Sequence, residues 1–240
     1  MTNNRMSGRA VKDRVLALLK EDDFPAILSQ LRGLPVMRVI NALFSFFLHG
    51  EERIRWRAVV AMGVAVDLLA HQDMEAARVV MRRLMWSLND ESGGIGWGAP
   101  EAMGEILARN EKLSEEFGGI LISYLNPDGN YLEYEPLQRG LLWGIVRFAQ
   151  ARPSLAHPAA EYLGPYLASG DPAIRGLAAL AVGLIGALPH RDTVAKLMAD
   201  QTRFRMYEFD AFRDVTVGDL AARGMEFLRG TCDTKMPETG

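Results

Sequence analysis

Apolar positions recur along this chain at intervals of three and four, the spacing that gathers side chains on one face of an α-helix. Val11, Val15, Leu18 and Leu19 make the first such face, in a helix that begins at about Arg9. Asp23 before Phe24-Pro25 reads as an N-cap with proline in the opening turn, and the helix continues from Ala26 to Leu31 until Gly33 and Pro35 break it. Val36 to Leu48 predicts a third helix. It is apolar nearly all round, through Phe44, Phe46, Phe47 and Leu48, so it is expected to be buried on two sides.

Beyond this point the pattern repeats. Five predicted helices can be laid over one another on Gly63, Gly104, Gly144, Gly183 and Gly224, at steps of 41, 40, 39 and 41 residues. Partner helices are predicted between them, over about 72–88, 111–125, 155–168 and 190–201. A helix pair every ~40 residues is the mark of a helical solenoid, and β structure is hardly required. Ile54-Arg55-x-x-Ala58-Val59-x-Ala61-Met62-Gly63 matches Ile174-Arg175-x-x-Ala178-Ala179-x-Ala181-Val182-Gly183 position by position.

At these residues the chain resembles the HEAT-repeat family, in particular the short bacterial HEAT-like repeats of the phycobilisome-lyase type, over roughly residues 34–228. The resemblance implies an all-α, right-handed α-α superhelix of about five helix pairs. It also implies that the second helix of each pair lines a concave face, and that the arginine ties one repeat to the next. Two positions depart from the pattern. Gly96 stands where Arg55 and Arg175 stand, and Asp219 replaces an alanine, which makes the last repeat a modified cap. The expected organisation is a disordered stretch over 1–8, one repeat domain over 9–228 and a flexible tail over 229–240.

Three segments interrupt the array. Asn89 to Gly98 is a glycine-rich loop that feeds a helix N-terminus at Pro100 and Glu101. Asn126 to Glu135 contains the turn signal Asn-Pro-Asp-Gly-Asn. Thr202 to Val215 interleaves Phe204, Tyr207, Phe209 and Phe212 with Arg203, Arg205 and Arg213. It reads as a long irregular connection whose aromatics cover the end of the core, with stacking on a planar ligand as the alternative.

Composition narrows the function classes. With 240 residues and 49% hydrophobic content, the chain buries a sizeable core. A net charge of -3 supplies no general basic field, which disfavours nucleic acid and anionic membranes as partners. The longest apolar run, Leu177 to Leu188, is well short of the roughly 18–20 residues that span a bilayer. The N-terminus has no secretory pattern, and Cys232 is the single cysteine, which rules out an internal disulfide and a cysteine-based zinc site. The expected location is the cytoplasm.

The repeat also supplies an alignment inside the chain. Three residues before the marker glycine stand Val60, Glu101, Leu141, Leu180 and Ala221; one residue after it stand Val64, Glu105, Ile145, Leu184 and Met225. Both columns are apolar except in the second repeat. Glu101 and Glu105 share a helix face and repel unless a cation or a proton intervenes. Arg139, in a column otherwise held by Ala58, Ala99, Ala178 and Asp219, is the expected counter-charge, with Arg57 as a second candidate.

The three residues Glu101, Glu105 and Arg139 are therefore expected to touch, either as a structural ion-pair network or as a polar pocket. Trp56 and Trp97 share the column seven before the glycine, and are expected side by side, either packed or walling a cleft over Glu101. Asp90 and Glu91 add acid beside that loop, whereas Trp86 and Trp143 lie at other phases and are expected in the core.

No catalytic residue, metal ligand or cofactor is assigned. HEAT-like iron hydroxylases carry His-Glu pairs, but His49, His71, His157 and His190 are followed by Gly50, Gln72, Pro158 and Arg191. The reading that results is a non-enzymatic protein-binding or adaptor module that uses a concave groove. The alternative is a small-molecule enzyme or cofactor-lyase-like protein with a Glu/Arg/Trp pocket. A HEAT-like DNA glycosylase is less favoured, because the acidic balance supplies few phosphate contacts.

Overall fold

Ser7 accepts a hydrogen bond from the Ala10 N–H and so opens α1 (Gly8–Lys20), one residue ahead of the expected start. The computed structural model describes residues 6–89 and 96–233, with side chains as far as 229. Helices dominate, in the all-α solenoid arrangement that the repeat predicts, and their residues cluster into two compact units, Met1–Phe117 and Gly118–Gly240.

In the first unit α2 (Phe24–Arg32) is capped by Asp23, whose carboxylate accepts from the Ala26 N–H. The third helix, α3 (Val36–Phe46), packs on α1 and on α4 (Glu52–Gln72), which places its apolar girdle between two neighbours as expected. Then follow α5 (Met74–Leu88), α6 (Ala99–Arg109) and the start of α7 (Glu111–Ser123). α4 packs along both α5 and α6, and Gly63 is the reason that α6 comes so close. A Cβ at position 63 would lie 2.6 Å from the Glu105 Cγ and 3.1 Å from the Arg109 Cδ. Asn110 joins three elements: its Oδ1 caps α7 at the Leu113 N–H, while its Nδ2 donates to Asp67 on α4.

The second unit is built on α8 (Glu135–Ala151), α11 (Pro172–Ile185) and α13 (Val217–Asp233). α11 packs against both of the others. Its Gly183 meets the Gly224 backbone directly, with no room for a side chain between them. The five marker glycines lie one each in the helices α4, α6, α8, α11 and α13.

The partner helices are less regular. Over 155–168 a single helix is expected, yet the chain forms α9 (Pro153–Ala156), a 3-10 stretch (His157–Glu161) and α10 (Gly164–Leu167). Pro158 and Gly164-Pro165 explain the break, since proline lacks the N–H and crowds the preceding turn. Likewise α12 (Arg191–Leu197) is shorter than the predicted helix over 190–201.

The segment Thr202 to Val215 corrects the sequence reading. It is not irregular: β1 (Arg203–Glu208) and β2 (Ala211–Thr216) pair as an antiparallel hairpin. Phe209 and Asp210 form its two-residue turn, with φ of 51° and 59°, the left-handed pair that suits the twist of a hairpin. Asp210 helps hold this turn by accepting from the Tyr207 hydroxyl. Two of the aromatics cover the core of this unit, since Phe204 lies against Gly176 and the Tyr207 carbonyl accepts from the Trp143 indole, whereas Phe209 at the turn is exposed.

The last helix of the array is capped by its own side chains. Asp219 is part of a capping box, in which its carboxylate accepts from the Thr216 N–H and the Thr216 hydroxyl accepts from the Asp219 N–H. α13 runs on to Asp233, into the expected tail. No helix among the described residues is long and apolar enough to cross a membrane.

Candidate functional site

Trp56, Trp97 and Glu101 line one cavity of about 370 Å³ in the first unit, together with Phe47, Leu48, Arg55, Val59 and Gly98. Trp97 and Gly98, directly before α6, belong to this lining. Gly98 has a φ of 76°, and a Cβ there would come within 2.9 Å of the Phe47 ring. Only glycine satisfies both conditions, so Gly98 turns the chain into α6 with its own backbone against the ring of Phe47. Trp97 remains partly exposed, whereas Glu101, one turn into α6, is half-buried.

Glu101 is the electrostatic anomaly of the cavity. Its Oε2 is shut off from solvent and has no hydrogen-bond partner among the described residues. Burial therefore pushes its carboxyl up to about 7, and a backbone hydrogen bond offsets this only in part. Such a group is near half-protonated at neutral pH.

Glu105 has a different fate although it shares the face. Its side chain is 1% exposed, and its Oε1 accepts from the Arg109 Nε and Nη2 at 2.8 and 2.6 Å, one turn further along the same helix. Arg109 is thus a counter-charge that sequence reasoning did not single out. The i,i+4 spacing is its signal.

The expected contact of Glu101, Glu105 and Arg139 is corrected by these pairings. Arg139 projects to the carboxylates of Glu135 and Asp171 in its own unit. Asp171 is also the N-cap of α11, so Arg139 joins α8 to the next helix of the repeat. Arg57 is not at the cavity. It is fully buried, and its guanidinium donates to the carbonyls of Leu19 and Glu21 at the C-terminal end of α1, over the ring of Phe24. That is the favourable end of a helix for a cation.

Asp90 and Glu91 lie outside the described residues. Trp143 is buried as expected, but Trp86 is 78% exposed. α5 buries Ala77, Val80, Met81 and Leu84, and position 86 falls two residues past that stripe.

Arg55 is the cavity residue that the sequence reading passed over, because it was counted only as a packing position. Its Nη1 donates to the carbonyls of His49 and Gly50 at 2.9 and 3.4 Å. Arg175, its match in the repeat, donates to Ser169 and Gly170 in the same way, at 2.7 and 3.0 Å. Among the described residues no group of three or more histidine, cysteine or acidic side chains is placed to hold a metal ion.

No family model matches the chain. An uncharacterized protein of Archaeoglobus fulgidus is 29% identical over 169 residues, which cover 70% of this chain and 81% of that protein. Two engineered proteins of known crystal structure are similar in fold, each with a TM-score of 0.52. One is 16% identical, covering 92% of this chain and 96% of its own. The other is 14% identical, covering 91% and 98%. A designed armadillo repeat protein aligns with a TM-score of 0.49 at 16% identity, over 90% of this chain and 98% of its own. At such identities the likeness concerns the fold alone.

Proposed function

We propose that this chain is a non-catalytic binding module of HEAT-like repeats that holds a partner protein in the cavity between Trp56 and Trp97. The observation that carries the reading is the cavity itself. Two tryptophans on successive repeats wall a space of about 370 Å³, beside a glycine whose conformation fixes the approach of one of them. A space of this size accepts one large side chain or a chain end, and buried aromatic pockets supply the anchor energy of many interfaces. A repeat array supports this use because it presents side chains from successive helices on one rigid surface. The reducing cytoplasm suits a chain with one cysteine.

Glu101 supports a second reading, a small-molecule enzyme. A carboxyl with a raised pKa in an aromatic cavity is the profile of a general acid or base.

Capture from the native cell with wild type, Trp97→Ala and the exposed control Trp86→Ala separates the two, when run beside a metabolite thermal-shift screen. The binding-module reading expects a partner retained by wild type and Trp86→Ala, and lost by Trp97→Ala at an unchanged melting temperature. Equal recovery by Trp97→Ala overturns it. A metabolite-dependent shift that Trp97→Ala abolishes, without a captured partner, moves the assignment to the enzyme.

A further inference from the structure

We propose that the ligand of this cavity carries a carboxylate, joined to a planar apolar group, and that the Nε/Nη2 edge of Arg55 binds it. The inference rests on the cavity being a binding site, and it names what the site takes. Its argument is the comparison of two copies of one motif within the same chain.

Arg55 and Arg175 stand eight residues before their marker glycines and five and six residues after the carbonyls they hold. Holding two successive carbonyls with Nη1 fixes the plane of a guanidinium, so the opposite edge is presented at the equivalent place in both repeats. In the second unit that edge is occupied: the Nε and Nη2 of Arg175 donate to Asp200 Oδ2 at 3.2 and 2.8 Å. Arg55 has no carboxylate partner among the described residues, and it lines the cavity.

The protein thus shows, at Arg175, the group that satisfies this edge; at Arg55 the same edge meets no carboxylate among the described residues, in a cavity that two indoles also line. A forked guanidinium selects a carboxylate by two parallel hydrogen bonds, and Trp56 and Trp97 select a flat apolar body next to it. Glu101 is the one acid of the lining among the described residues, and in its protonated form it does not repel an anion. Two sources carry this chemistry: the free C-terminus of a partner chain that ends in an aromatic residue, and an aromatic carboxylic acid metabolite.

Titration calorimetry on the full chain at pH 6 tests it with two matched pairs of probes. One pair is the peptide Gly-Gly-Trp with a free C-terminus and its C-terminal amide; the other is indole-3-acetate and indole-3-acetamide. The expected result is that each carboxylate binds roughly 10- to 100-fold more tightly than its amide, as for one charge-assisted hydrogen-bonded pair. Arg55→Met should abolish that preference and Arg55→Lys should retain part of it. Arg175→Met, which removes the same carbonyl clamp elsewhere, should leave it intact.

Tighter binding of the peptide identifies a chain end as the source; tighter binding of indole-3-acetate identifies a metabolite. Equal affinity for acid and amide overturns the inference while leaving the cavity as a site. The inference also fails if neither carboxylate binds at millimolar concentration, or if the preference survives in folded Arg55→Met. Failure of the binding-site reading itself is recognised separately, by partner capture that does not depend on Trp97.

Discussion

At the scale of single residues, burial decides which charges do chemistry and which hold the fold. The columns of the internal repeat single out Glu101 and Glu105 because their counterparts are apolar, and both are indeed withdrawn from solvent to some degree. What the columns do not show is the partner. Glu105 is neutralised by Arg109 on its own helix, whereas the Oε2 of Glu101 has none among the described residues. Because the folded carboxyl titrates near 7 rather than at its ordinary 4.5, the folded state binds more protons than the unfolded chain between these values. Stability should therefore fall as pH rises from about 4.5 to 7 and level off above. Glu101→Gln should remove this slope and raise stability at pH 8 by on the order of 1–3 kcal/mol, read from urea unfolding at pH 5 and pH 8. An unchanged slope in the variant would show that the carboxyl titrates normally. Arg139 is half-exposed and bonded to Glu135 and Asp171, so Arg139→Ala should cost only about 0.5–1.5 kcal/mol by the same unfolding assay. The 3–5 kcal/mol loss of a fully buried pair does not apply to it.

At the scale of elements, small residues set how closely the helices approach. Gly183 touches the backbone of Gly224 where α11 crosses α13, so Gly183→Ala must push the two helices apart and should destabilise by about 1–3 kcal/mol. Gly119 gives the opposite case, since it sits on the exposed face of α7 with nothing within 4 Å of an added Cβ. Gly119→Ala should stabilise by roughly 0.5–1 kcal/mol through helix propensity alone. Thermal melts of the two variants provide the comparison, and equal effects would show that the crossing is not tight. The hairpin β1–β2 is the element that helix-period reasoning missed. Its period-two signal is short, and its turn is Phe209-Asp210 rather than an Asn-Gly or Asp-Gly pair. The helix break around Pro158 and Pro165 was legible in principle, but the repeat period outweighed the prolines in the reading.

At the scale of the molecule, the residues gather into two units, and Arg57 belongs to the ties within the first. It joins α4 to the end of α1 through the carbonyls of Leu19 and Glu21, so Arg57→Ala should strand the buried Leu19 acceptor at a cost of roughly 1–3 kcal/mol. Hydrogen exchange should then show lost protection in α1 and α4, and unchanged protection across both would remove Arg57 from the account of stability. The sequence on its own carries the helical repeat, the five marker glycines, the cap at Asp23 and the partial burial of the Glu101–Glu105 face. Each of these is local or periodic, so nearest-neighbour spacing carries it. Only the tertiary structure decided that Arg139 serves Asp171, that Arg57 closes α1, and that Arg55 shares a cavity with Trp56, Trp97 and Glu101. Long side chains of one charge are interchangeable in a column of letters. Which carbonyl or carboxylate each one reaches depends on the path of the backbone between helices, and that path is set by packing across tens of residues.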